Sequence, residues 1–246
     1  LGDEPLARHT TFWIGGPADA FVIARNLEQA RSALAIARAA GAPVFFLGWG
    51  SNLLVRDGGV RGLTLALSGD FESIEFPGPN LVRAGAATRV PQLVVACAER
   101  GLSGLEPLVG VPGVLGGALV MNAGTREGEI GSFVAEVEVL SAVGAMRTLP
   151  LADIQFGYRS SSLGGELILS ALLRLKPGVK ADIMSVVARH QQKRLQTQPV
   201  HTYNVGSTFK NPPGRFVAHM IEQLGLKGHA VAGARVSPMH ANFIEN

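Results

Sequence analysis

The chain has 246 residues, of which 47% are apolar and 17% charged, with a net charge of +3 and a single cysteine. That composition can bury a core and excludes a disordered chain, a disulfide framework and a nucleic-acid binder with a concentrated basic stripe. No apolar run reaches the ~18 residues of a membrane span, and "LGDEPLARHTTF" shows no secretory signal, so a cytoplasmic location is expected.

"DAFVIA" (19–24) is short and apolar, as a buried strand is. "NLEQARSALAIARAAG" (26–41) predicts a helix capped by Asn26 and ended by Gly41, with Leu27, Ala30, Leu34 and Ala37 along one face. "APVFFLG" (42–48) and "GLTLAL" (62–67) read as strands and close a βαβ-like unit near residue 67. A second section, 68–175, opens with a helix over 88–101 that holds Cys97, read as a buried filler rather than a reactive thiol. A glycine-rich stretch (104–129) follows. Next come a hairpin, "FVAEVEVL" and "MRTLPL" turned at Gly144, and a long strand over 166–176. The last section, 176–246, begins at Pro177-Gly178. It carries helices over 181–196 (Ile183, Val186, Val187 and His190 on one side) and 215–228, then a strand in "ANFIEN". Antiparallel pairs mixed with helices give an α+β class.

Several stretches carry chemistry. In "FLGWGSNLLV" (46–55), Gly48, Gly50, Ser51 and Asn52 follow a strand and can turn successive N–H groups into one concavity suited to a pyrophosphate; a plain strand-to-strand turn is the alternative. The two commonest nucleotide fingerprints are absent. "GVPGVLGGALVMNAGT" (110–125) spaces Gly110, Gly113, Gly116, Gly117 and Gly124 through apolar residues, with Asn122 its main polar side chain. Each glycine costs a helix about 1 kcal/mol relative to Ala, so a loop laid against a flat ligand is expected, with a structural bend as the alternative. "FGYRSSS" (156–162) sets Tyr158 and Arg159 in a polar turn. Arg159 is either a surface residue or a planar fork for a carboxylate or phosphate. Ser207, in "GSTFKNPPG" (206–214), has no acid or histidine within five residues, which leaves turn former, phosphate ligand or a catalytic group without a base. Lys227 can complement a helix end, and His240 sits on a turn. None of the six histidines has metal-ligand spacing.

Taken in order, "TFWIGGPADAF", "LGWGSNLLVRDGGVRG", "GLSGLEPLVGVPGVLGGALVMNAG", "YRSS", "QPVHTYNVGSTFKNP", "MIEQLGLKG" and "VSPMHANFIEN" resemble the UDP-N-acetylenolpyruvoylglucosamine reductase (MurB) family over almost the entire chain. The resemblance implies a two-part FAD-binding fold of the vanillyl-alcohol-oxidase type (1–67 and 68–175) plus a smaller α+β substrate-binding domain (176–246). It implies non-covalent FAD, NADPH as reductant, a UDP-sugar substrate and no obligate protein partner. Leu47, Gly48, Trp49, Gly50, Ser51 and Asn52 then hold the pyrophosphate. Gly110, Val111, Pro112, Gly113, Gly116, Gly117, Asn122, Ala123, Gly124 and Ile168 line the flavin.

Tyr158 and Arg159 match the family's active-site pair, Ser207 its catalytic serine, and Asn211, Lys227 and His240 its contacts to the substrate nucleotide. Flavin N5 then delivers hydride to the enolpyruvyl methylene, Arg159 stabilises the developing charge and Ser207 donates the proton. A proton donor to a strongly basic carbon needs no partner base. Trp49 stands where the family has a small residue. "FKNPPG" lacks the long insertion of one subtype, so a shorter subtype is expected. The family's further helix and strand with a catalytic glutamate is expected beyond Asn246. Rival readings are an oxidase of the same fold, which often tethers FAD through a histidine that residues 40–65 lack, and a non-catalytic binding module needing neither Arg159 nor Ser207.

Overall fold

The computed structural model describes residues 1–246 as two units. The first comprises Leu1–Glu4, Ala18–Gly48 and Val60–Gln191; the second comprises Pro5–Pro17, Trp49–Gly59 and Gln192–Asn246.

The first unit begins with strands β1 (Gly2–Pro5), β2 (Pro17–Ala24), β3 (Val44–Leu47) and β4 (Val60–Leu67), ordered β1-β2-β4-β3. Both β2 and β3 run parallel to β4, and between them helix α1 (Leu27–Ala39) makes the crossover. Asn26 caps α1 as its side chain predicts, accepting from the Gln29 N–H at 3.0 Å, which is worth about 1 kcal/mol. The buried face of α1 is Ala30, Ala33, Leu34 and Ala37. They pack on Leu63 and Leu65 of β4, while Leu27 is only partly buried at the edge. Small alanines let the helix lie close to the sheet.

Strands β5 (Ile74–Gly78) and β6 (Leu81–Gly85) lead into α2 (Val90–Glu99), which has a proline in its first turn, and then β7 (Leu102–Ser103). Helix α3 (Leu115–Val120) follows, then β8 (Gly124–Thr125), β9 (Gly128–Glu129), β10 (Val134–Leu140), β11 (Met146–Pro150), β12 (Phe156–Gly157), β13 (Ser160–Ser161), β14 (Leu167–Arg174) and β15 (Lys176–Pro177). A second sheet, ordered β11-β10-β14-β6-β5, is antiparallel throughout. Its hairpin β10–β11 turns at Gly144, φ 83°. Leu93, Val94, Cys97, Leu115, Leu119 and Ile130 fill its core together with Val137, Ala171 and Leu173 of the strands. Cys97 is 1% exposed. Burial, with Glu106 nearby, pushes its thiol up to about 12, so it is an inert core group.

Two expectations are corrected here. The 110–125 stretch is not loop throughout, because α3 includes Gly116 and Gly117. Tertiary hydrogen bonds hold its first turn, from Leu115 N–H to Thr88 O (2.9 Å) and from Gly116 N–H to Ala86 O (2.9 Å), and these outweigh poor propensity. The strand read over 166–176 ends at Arg174, and Lys176 pairs instead with Ser103 of β7.

Helix α4 (Lys180–Thr197) buries Ile183 and Val187, and the unit boundary falls within it. The second unit holds α5 (Val217–Gln223) and the antiparallel strands β16 (Ala230–Val231), β17 (Ala234–Val236) and β18 (Ile244–Glu245). The helix read over 215–228 is thus seven residues long, ended by Gly225 at φ 69°. Buried groups here include Leu6, Phe12, Val55 and Phe243, but also Thr10, Ser237, Asn242 and Glu245.

Candidate active site

In the first unit the glycine stretches meet. A Cβ on Gly48, at the end of β3, would lie 3.0 Å from Val114 Cγ2. Leu47 is buried and Gly48 exposed. Val111, Gly113 and Val114 are half-buried, and Pro112 and Gly117 are exposed. At Gly117 a Cβ would meet nothing within 4 Å. This leaves a strip of small, apolar, acid-free surface running from Gly110 to Gly117. Such a surface suits a flat, mostly apolar ligand. Ile168 lies in the core at 4% exposure, and Ala123 is partly buried against the same core.

Helix α3 ends with Asn122 at φ 42°. The Asn122 side chain is fully buried. Its Nδ2 donates to Gly157 O (3.0 Å) and its Oδ1 accepts from the Gly131 N–H (3.0 Å). Gly157 is the last residue of β12, which pairs with β13 across the two-residue turn Tyr158-Arg159. Arg159 occupies the second turn position at φ 56°, where glycine or asparagine is the usual choice. Its Nη2 donates to Gly124 O at 2.7 Å, and its Cζ lies 5.2 Å from the Tyr158 ring centroid. A third tie runs from Ser161 Oγ to Val120 O at 3.0 Å. The turn is therefore bound to the segment 120–124 at three places, and a non-glycine residue held at positive φ is the kind of strain that functional sites retain.

In the second unit, Trp49 is exposed and Ser51 half-buried. Gly50 has φ 63°, and a Cβ there would collide with His9 O. Its carbonyl accepts from the Thr11 N–H at 3.2 Å. Packing on 9–11 thus accounts for glycine at 50, and Asn52 stays exposed.

Ser207 lies exposed between two asparagine braces. On one side Asn204 Oδ1 accepts from the Gly206 N–H (3.0 Å), while its Nδ2 donates to Pro199 O (2.8 Å). On the other, Asn242 accepts from the Phe209 N–H (3.0 Å) and donates to Phe209 O (2.9 Å), and its own carbonyl takes the Thr208 N–H at 2.8 Å. Neither brace is singled out by sequence reasoning; Asn204 flanks the Gly206 turn, and Asn242 lies 33 residues from its partner Phe209. Asn211 Oδ1 accepts from the Val217 N–H (3.0 Å) and so caps α5. Lys227 Nζ donates to Glu222 Oε1 at 2.7 Å and holds that carboxyl below its usual range, chiefly through this hydrogen bond. His240 Nδ1 accepts from the Asn242 N–H at 3.3 Å, which leaves the neutral ring's proton on Nε2. Burial, joined by the Lys227 charge, lowers its pKa, so the ring is neutral at pH 7. Lys227 and His240 thus share one charge environment.

The sequence profile of an FAD binding domain matches residues 18–150, and that of the C-terminal domain of UDP-N-acetylenolpyruvoylglucosamine reductase matches 198–246. UDP-N-acetylenolpyruvoylglucosamine reductase 2 of Symbiobacterium thermophilum is 43% identical over 99% of this chain and 79% of its own length. The reductase of Moorella thermoacetica is 42% identical over 100% and 81%. Among solved structures, the enzyme of Thermus caldophilus superposes with a TM-score of 0.87 at 38% identity, covering 98% of this chain and 86% of that one. With an FAD binding profile over 18–150, the reductase profile over 198–246 and relatives that match along almost the whole chain, the chain belongs to the UDP-N-acetylenolpyruvoylglucosamine reductase family and is an FAD-dependent oxidoreductase with a vanillyl-alcohol-oxidase-type fold.

Proposed function

We propose that this chain reduces the enolpyruvyl ether of UDP-N-acetylglucosamine enolpyruvate to UDP-N-acetylmuramate in peptidoglycan synthesis, with NADPH as reductant. The observation that carries the reading is Arg159, a cationic fork held at positive φ on a hairpin that three hydrogen bonds, one of them its own, tie to the segment 120–124. FAD, when bound, would supply the two-electron hydride chemistry between NADPH and the enolpyruvyl ether. Gly110, Val111, Pro112, Gly113, Gly116, Gly117, Ala123, Gly124 and Ile168 would hold its ring, and Leu47 to Asn52 its pyrophosphate.

Adding hydride to the methylene breaks the carbon–carbon π bond and leaves an electron pair on the adjacent carbon and its carboxylate. Arg159 stabilises that charge, as a donor aimed at developing anionic oxygen does, and Tyr158 beside it limits the directions the guanidinium takes. Ser207 then gives its hydroxyl proton to the carbon, and its alkoxide recovers a proton from solvent. Its asparagine braces fix the backbone on both sides, which suits a donor whose effectiveness depends on position before pKa. Asn211, Lys227 and His240 take the nucleotide end, where an ammonium and a neutral Nε2–H donor match a diphosphate.

The test is anaerobic reoxidation of the NADPH-reduced protein by UDP-N-acetylglucosamine enolpyruvate. Substrate-dependent reoxidation is expected, and an inert reduced flavin would overturn the assignment. Ser207→Ala should slow reoxidation roughly 100-fold or more relative to flavin reduction, in the range of general acid contributions. An unchanged ratio would remove Ser207 as proton donor.

A further inference from the structure

We propose that the Asn122 side chain is the positioning residue for Arg159 and does not contact the flavin; the inference rests on the role given to Arg159 above. Helix α3 ends in a Schellman motif, with Ala123 N–H to Ala118 O at 2.7 Å and Asn122 N–H to Leu119 O at 3.2 Å. In that motif the residue at positive φ is usually glycine. This chain has 31 glycines, with Gly116, Gly117 and Gly124 close by, yet it places asparagine there with 0% exposure. The backbone does not require the side chain, so its two hydrogen bonds account for it. A carbonyl partner and an N–H partner fix which end of the amide is which: Nδ2 to Gly157 O, Oδ1 from Gly131 N–H.

The partners matter because the β12–β13 hairpin pairs only Phe156 with Ser161 and Gly157 with Ser160, too few to stand without support. Gly157 is the residue from which Tyr158-Arg159 departs, so the amide bridge sets the root of the turn. Gly131 completes the bracket. A Cβ there would lie 2.6 Å from Phe156 Cγ and 2.8 Å from Asn122 Oδ1, so glycine at 131 admits both the bridge and the ring of β12. The glycine-rich stretch and the arginine turn are thus joined through a single buried amide.

The variants Asn122→Gly and Asn122→Asp test this. The first keeps the left-handed helix end and deletes the amide; the second keeps the acceptor for Gly131 N–H and loses the donor to Gly157. In flavin-free protein, amides in 155–163 should exchange hydrogen at least tenfold faster in both variants, with 115–121 unchanged. In the holoenzyme, the ratio of reoxidation by substrate to reduction by NADPH should fall at least tenfold, and Asn122→Gly should cause no further fall when added to Arg159→Ala. Unchanged exchange over 155–163 overturns the proposal, as does a further fall when Asn122→Gly is added to Arg159→Ala. Lost flavin affinity with an unchanged ratio makes Asn122 a flavin ligand instead and equally overturns it. Arg159→Ala alone reoxidising at the parent rate sinks the function assigned to Arg159 and this inference with it, a failure distinct from the other three.

Discussion

Asn242 completes a small ladder, since its amide meets both backbone groups of Phe209, as a strand partner would. Asn242 is 4% exposed, and replacing it with alanine removes the partner of both the Phe209 N–H and its carbonyl. Each intramolecular bond is worth about 1 kcal/mol net, and an orphaned group costs more, so Asn242→Ala should destabilise by about 2–3 kcal/mol in urea titration. A loss under 0.5 kcal/mol would show that water replaces the amide. His240 gives a pH signature in the same unit. Its folded pKa lies below the ordinary 6.5, mainly because it is buried. As pH falls through 6.5 the unfolded chain takes up the proton first, so stability is full above that value and declines until the folded ring titrates. Glu222, also held low, adds a loss only below its ordinary 4.5, so the two windows are separate. Between pH 7 and 5, His240→Gln should flatten the curve of unfolding free energy against pH. An equal slope in the variant would assign the dependence elsewhere.

At the scale of elements, α3 is the instructive case. Gly117 faces open space, so Gly117→Ala should raise the stability of flavin-free protein by up to about 1 kcal/mol through helix propensity. Gly117→Leu should keep the fold and lose bound flavin absorbance, because the longer side chain stands on the small-residue strip. Full flavin content in Gly117→Leu would move the ring's place away from α3. Long elements are legible in sequence where caps and periodicity agree: Asn26 and Gly41 bracket α1, and Gly144 marks the β10–β11 turn. Helix α3 is not, because two glycines count against it locally while Thr88 and Ala86 hold it from a distance. Two-residue strands such as β12 and β13 hold a single alternation, so no repeating pattern announces them. The same limit governs the site. Arg159 and Ser207 are visible as residue types in recognisable stretches. Their supports are not, because Asn122 reaches a partner 35 residues away and Asn242 one 33 residues away.

On the scale of the whole molecule, the two units are stabilised differently. Both large apolar clusters lie within residues 24–187, in the first unit. The buried set of the second is rich in Thr10, Ser237, Asn242 and Glu245, with the Glu245 carboxylate held by Arg235 at 2.7 Å. A unit organised by polar networks with little apolar burial opens more readily, so it should exchange amide hydrogens faster than the first in the absence of ligands. Ligands then add stability where they bind, about 2.7 kcal/mol at a concentration 100 times the dissociation constant. Saturation with FAD should therefore slow exchange across 110–124. UDP-N-acetylglucosamine, which lacks the reactive ether, should slow it across 204–211 and 237–242, by up to roughly 100-fold for amides that exchange through opening of the unit. Protection by the UDP-sugar confined to 110–124 would break the assignment of Asn211, Lys227 and His240 to the nucleotide, whereas protection at 204–242 with FAD absent would show that the second unit recognises the nucleotide through its own residues.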